Sequence, residues 1–194
     1  MKKLPFALAM ILSAVMIAMT SGCNSDKDND SSKVWSKYEK WRDINNAFYT
    51  SQRDSLDADG KPFYRVLYPT WNPAAEILIH YFNDREETAG NLQPMLTSTC
   101  DLIYYSRLCN GVPADSSYTK TEYGRGIARF CPQKTIQGFA IALMDMHVGD
   151  SVQVVLPYTL AYGASTTKPF PPFSSLVMNI RLVDIPFYEI PAAN

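Results

Sequence analysis

Alternation of apolar and polar positions is clearest towards the C-terminal end of the chain. From Leu176, the side chains of Leu176, Met178, Ile180 and Leu182 share one face, and Asn179 and Arg181 point to the other. That period of two predicts a half-buried strand. The β-branched run Val152–Leu156 predicts the strand before it. Pro157 has no N–H to give and ends that ladder. Gly163 supplies a turn, and Pro169, Pro171 and Pro172 stiffen the loop between the two strands. Upstream, Cys100–Leu108 alternates with Leu102, Tyr104, Ser106 and Leu108 on one face, and Asn110-Gly111 makes a turn. The apolar runs Phe63–Tyr68 and Ala75–Phe82 read as further strands, and polar Asn83–Gln93 as a loop.

Two stretches carry the helical period instead. In Val34–Asp54, Trp35, Tyr38, Trp41, Ile44 and Phe48 recur at three- and four-residue steps, with charges between them and no Gly or Pro. This predicts one amphipathic helix packed on its own domain; a dimer seam or a client-gripping arm is the alternative. In Ala140–Met146 the period is short: Phe139, Leu143 and Met146 share a face, and Gly149 follows near the stop.

The first residues read as export signal rather than fold. Lys2 and Lys3 precede an uncharged apolar run, Leu4 to Met19, and then Thr20-Ser21-Gly22-Cys23. Small residues before a cysteine resemble a bacterial lipobox, so residues 1–22 are expected as a lipoprotein signal peptide and Cys23 as the lipidated residue. An ordinary secretory signal or a transmembrane anchor are the alternatives. Acyl chains at Cys23 would anchor the protein to a membrane of the cell envelope, expected as the outer membrane, on its periplasmic or surface side. Residues 23–33 contain almost nothing apolar and are expected as a flexible tether. Residues 34–61 are then an N-terminal helix and turn, 62–188 the main domain and 189–194 a tail.

Composition narrows the chemistry. A formal net charge of −1 and no basic block give no reason to expect nucleic acid. An apolar content of 46% suits one ordinary core. Asp57-Ala58-Asp59-Gly60 lacks the later acidic ligands of a calcium loop, and His80 and His147 belong to no Cys/His cluster. No metal or cofactor is expected.

Three separated blocks carry a resemblance. The first is Tyr104-Tyr105-Ser106-Arg107-Leu108-Cys109-Asn110-Gly111-Val112-Pro113-Ala114-Asp115-Ser116-Ser117, against Y-x-G-x-L-x-x-G-x-x-F-D-S-S. The second is Phe130 to Phe139, against F-x-x-x-x-V-I-x-G-W, followed by Met146-His147-Val148-Gly149 against M-x-V-G. The third is Leu160-Ala161-Tyr162-Gly163, then Pro171-Pro172, Ser175-Leu176-Val177 and Leu182-Val183-Asp184-Ile185. In order and spacing, over roughly residues 102–185, these resemble the FKBP-type peptidyl-prolyl cis-trans isomerases. Ser106 stands for the first Gly, Ala114 for a Phe, Thr135 for a Val, Phe139 for the Trp and Met178 for a Phe.

The resemblance implies an α+β fold: an antiparallel sheet of five or six strands curled around one short helix, with a pocket between them, plus the N-terminal helix. Residues 75–93 do not follow the family pattern and are read as an insertion in, or elaboration of, the early strands. It implies rotation about X–Pro amides, whose uncatalysed barrier is about 18–20 kcal/mol. Proline-containing polypeptides would be the partners and macrolides the inhibitors. Phe139 would floor the proline site; Tyr104, Phe130, Ile136 and Met178 would wall it. The Ile136 N–H and the Tyr162 hydroxyl would each bond a substrate carbonyl. Asp115 would hold the rim beside Tyr104, Phe170 and Leu176 would line the loop side, and Ala114 would stand where the family has an aromatic wall. In such a sheet Cys100 and Cys131 would lie on neighbouring strands and could form a bridge; three free buried thiols are the alternative. A non-catalytic binding or chaperone module of the same fold is the second functional reading.

Overall fold

The computed structural model describes residues 26–187, with side chains from Ser32 onward. The expected signal segment, the Cys23 lipidation site and the tail lie outside the described residues. By packing, the chain divides into two units, Met1–Ser36 and Lys37–Asn194. In the first, helix α1 begins at Asp26 and runs to Lys37. Most of the stretch expected as a tether is therefore helical. Polar composition removes the apolar face that would dock a helix, but without Gly or Pro nothing in the backbone forbids one.

The second unit is built on two long antiparallel strands, β3 (Cys100–Leu108) and β7 (Leu176–Asp184). β6 (Ser151–Leu156) pairs with the other edge of β7. β2 (Ile77–Tyr81) follows β6, and β1 (Arg65–Leu67) closes that side. Beyond β3 lie β4 (Pro113–Ser116) and β5 (Ala128–Phe130). Among the described residues the sheet thus has seven strands where five or six are expected. β4 lies in a stretch to which the sequence pattern assigns no strand, and it pairs with β3 across a bulge at Ser106/Arg107. β2, read as a strand in an insertion or elaboration of the early strands, is a full member of the sheet, with Ile77, Leu78 and Ile79 buried. The 83–93 loop holds a one-turn helix, α3 (Arg85–Thr88), capped by the Asp84 carboxylate.

Register explains where the core sits. Tyr104, Ser106 and Leu108 stand opposite Ile180, Met178 and Leu176, and the last two stand opposite Val154 and Leu156. One face of the sheet is therefore a continuous apolar surface. Helix α4 (Gln137–Asp145) lies against it, with Phe139, Ala142 and Leu143 of the helix and Met146 just after it buried there. The other face buries Leu78, Val155 and Val177, which are adjacent by the same register. Helix α2 (Glu39–Arg53) covers them with Phe48 and Tyr49.

The predicted helix over 34–54 is thus two elements that break at Tyr38, and the docking face of α2 is turned by about one position from the predicted stripe. Trp41, Asn45, Phe48 and Tyr49 face the domain, Arg42 is buried beside them, and Ile44 is 53% exposed. An asparagine replaces the isoleucine because its amide has backbone partners there. The packing of α2 on its own domain agrees with the first of the two readings.

Candidate active site

The D-S-S sequence after the β3–β4 turn is a device for holding Tyr104. The Ser117 hydroxyl accepts from the Tyr104 N–H at 2.9 Å, and the Ser117 N–H donates to the Tyr104 carbonyl at 2.9 Å. The Tyr104 hydroxyl donates to Asp115 Oδ2 at 2.7 Å, while the Ser116 N–H holds Oδ1 at 2.8 Å. Ser106, in place of a glycine, donates its hydroxyl to the Asp115 carbonyl. Burial, and then the hydrogen bond and charge of Asp115, push the Tyr104 hydroxyl well above the usual tyrosine range. Tyr104 is therefore a fixed neutral donor.

The second block folds as a turn and a helix start. Phe130 ends β5, a 3-10 turn spans Pro132–Lys134, and Ile136 caps α4 with extended backbone. The close start of α4 depends on Gly138. A Cβ there would lie 2.9 Å from Leu156 Cδ2 and 3.1 Å from the Leu160 carbonyl oxygen. The approach brings Phe139 up to the sheet, where its ring centroid is 6.2 Å from Tyr104 and 6.0 Å from Phe130. Tyr104 and Phe130 are 5.7 Å apart, so the three rings form one tilted cluster.

The third block closes the opposite side. Tyr162 stacks on Phe170 at 4.4 Å, and Leu176 and Met178 rise from the start of β7. Together these residues enclose a cavity of about 410 Å³, lined mainly by apolar groups. Tyr104, Asp115, Phe130, Ile136, Phe139, Tyr162, Phe170, Leu176 and Met178 all line it, as the motif reading expects. Two donors face it unused: among the described residues, neither the Ile136 N–H nor the Tyr162 hydroxyl has a protein acceptor. Burial, then the Asp115 charge, keeps Tyr162 neutral above its ordinary range.

Two expectations need correction. Ala114 does not line the cavity; it packs half-buried against the core from the β4 bulge. Cys100 and Cys131 are not bridged, and Cys109 is free as well. Phe130, not Cys131, stands directly opposite Cys100, and Cys131 lies just past the end of β5. Only Cys100 of the three thiols is fully buried. The lining also includes Ser106, Lys134 and Thr135, which the motifs contained but to which they assigned no role. The 3-10 turn is what brings Lys134, Thr135 and Ile136 to the cavity in succession; no periodicity signals it.

Comparisons with known proteins converge on the same region. The sequence model of the FKBP-type peptidyl-prolyl cis-trans isomerases matches residues 90–183. The chain is 34% identical over 98 residues to a macrophage infectivity potentiator of Trypanosoma cruzi, covering 50% of this chain and 48% of that protein. It is 30% identical over 92 residues to the FKBP-type isomerase FkpA of Escherichia coli K12, covering 47% of this chain and 33% of that one. The chain thus spans about half or less of these relatives' length. Among solved structures, it resembles a Pseudomonas syringae peptidyl-prolyl isomerase with a TM-score of 0.60 at 23% identity, over 76% of this chain and 95% of that one. It resembles E. coli FkpA with a TM-score of 0.61 at 20% identity, over 87% of this chain and 74% of that one. At these identities the structural likeness concerns the fold.

Proposed function

We propose, on the premise that residues 90–183 belong to the FKBP-type peptidyl-prolyl cis-trans isomerase family, that the protein rotates X–Pro amides in polypeptides. The observation that carries this reading is an apolar cup with two unused donors at its edge, the Ile136 N–H and the Tyr162 hydroxyl. The chemistry needs no nucleophile. Amide resonance creates the barrier, so a site that favours the twisted amide over the planar one accelerates exchange. The proline ring sits on Phe139 between Tyr104, Phe130 and Met178. The apolar walls strip water from the amide carbonyl and weaken its charge-separated form. Ile136 N–H and Tyr162 OH bond flanking carbonyls and hold the backbone while the amide turns. Each 1.4 kcal/mol gained in the twisted state is worth about tenfold in rate.

A non-catalytic chaperone or binding module is the second reading. It is supported by Ala114 standing outside the cavity, which leaves one side without an aromatic wall, and by Phe139 and Met178 where the family pattern has Trp and Phe. Protease-coupled isomerisation of a proline tetrapeptide separates the two. Catalysis that Tyr162→Phe or Asp115→Ala reduces sharply supports the isomerase. Peptide binding with no rate above the blank supports the module. Macrolide competition for the peptide tests the same cup.

The protein is also proposed to be lipid-anchored at Cys23 on the cell envelope, acting on exported chains. The charge, apolar run and small residues before Cys23 support this. Membrane fractionation with a labelled acyl donor tests it: Cys23→Ser should abolish label and release the protein.

A further inference from the structure

Phe170 and Leu176 wall the cavity, and the five residues between them, Pro171–Ser175, are held in part from outside the family-matched segment. This short run has an awkward backbone. Phe173 is not glycine, yet it sits at φ +61° and is 1% exposed. Left-handed backbone at a bulky residue persists only where the surroundings hold it. Its N–H donates to the Gly163 carbonyl at 2.7 Å, and its ring meets the edge of Tyr158. The other holds come from α2. The Arg42 guanidinium lies over the Phe173 ring, 5.6 Å from its centroid. Trp41 Nε1 donates to Ser174 Oγ at 3.0 Å, and that hydroxyl donates on to the Pro171 carbonyl at 2.7 Å. Asn45 is fully buried: its Oδ1 accepts the Ser175 N–H at 2.7 Å and its Nδ2 donates to the Trp41 carbonyl at 2.8 Å.

A fully buried asparagine on a helix is costly unless it is paired, and here both ends of its amide are used. One end goes to the helix and the other to the residue just before Leu176. The same helix turn therefore grips the segment at Pro171 (through Ser174), at Phe173 and at Ser175. We infer that α2 is a positioning element of the prolyl site: Trp41 and Asn45 set the Phe170 and Leu176 walls through the Pro171–Ser175 segment. This rests on the isomerase reading above. It makes the working unit larger than the family-matched 90–183 and gives the buried face of α2 a role beyond covering the sheet.

The test uses the full chain with Trp41→Phe, Asn45→Ala and Ser174→Ala variants. Trp41→Phe keeps the ring and removes one donor, so it remains informative if Asn45→Ala does not fold. Tyr49→Phe is the control: it removes a donor from the same helix, to the Glu76 carbonyl, without touching the segment. Kinetics are measured well below each melting temperature. Expected are a three- to tenfold rise in KM for a proline peptide with a smaller change in kcat, and faster exchange of the Ser175 amide, for the first three variants only. Adding Trp41→Phe to Ser174→Ala should have no further effect, since Ser174→Ala already removes the Trp41 bond together with its own bond to the Pro171 carbonyl. Wild-type kinetics in folded Trp41→Phe and Ser174→Ala, or an equal change in Tyr49→Phe, overturn the inference and leave the isomerase reading standing. A wild-type chain with neither catalysis nor peptide affinity overturns both.

Discussion

At the scale of residues, the site separates groups that hold from groups that are free to act. Asp115 and Tyr104 are tied to each other, and Ser117 ties the Tyr104 backbone. Tyr162 is the contrary case, half-buried with a hydroxyl that has no protein acceptor among the described residues. Replacing it by phenylalanine orphans nothing, so Tyr162→Phe should leave stability within about 0.5 kcal/mol. It should lower kcat/KM by about three- to tenfold, the value of one neutral hydrogen bond. Urea unfolding and steady-state kinetics on one preparation check both halves. An unchanged kcat/KM would take Tyr162 out of substrate binding.

At the scale of elements, α4 is held at its two ends by different means. At the start, Gly138 permits contact with Leu156 and the Leu160 carbonyl. Gly138→Ala must move the helix or the turn below the cavity, because one of the crowding atoms is backbone. A loss of about 1–3 kcal/mol is expected, with peptide affinity falling as Phe139 shifts. Just past the helix end, Asp150 is fully buried and accepts from the His147 N–H, Thr88 Oγ1 and Asn83 Nδ2. Arg85 approaches the same carboxylate. This cluster fastens the 83–88 segment to the α4–β6 turn. Asp150→Ala strands those donors in the interior and should cost about 3 kcal/mol. Because none of these residues lines the cavity, the folded fraction should keep the wild-type KM, which denaturant titration and kinetics in parallel would check.

At the scale of the whole molecule, burial of phenols and a thiol makes stability sensitive to alkali. Burial is the largest cause raising Tyr49, Tyr64, Tyr81, Tyr104 and Tyr162, and it pushes Cys100 up to about 12 from an ordinary 9.0. Above pH 9 the unfolded chain releases protons that the folded chain retains. It then binds fewer protons, so unfolding free energy falls as pH rises. Below that pH these groups are neutral in both states and contribute no slope. The melting temperature should therefore fall from about pH 9 upward, and Cys100→Ala should make that fall shallower between pH 9 and 12. Equal slopes in the two proteins would show that Cys100 titrates normally in the fold.

How much of this was legible beforehand follows from the range of each interaction. Period-two alternation at Cys100–Leu108 and Leu176–Asp184 predicts both long strands, because one buried face is a local property of the sequence. The motif spacing located nine of the cavity-lining residues, since each block brings its own turn or cap. Other features depend on neighbours distant in sequence. Asn45, not Ile44, is buried because Ser175, 130 residues away, offers an N–H. Pro113–Ser116 is a strand because β3 pairs with it. Ala114 misses the cavity because a bulge turns it aside. The sequence alone determined which faces are apolar and which turns are sharp, because these follow from the local order of side chains. Tertiary structure alone decided which polar groups could be buried, because a buried amide or carboxylate is tolerated only where the fold supplies its partner.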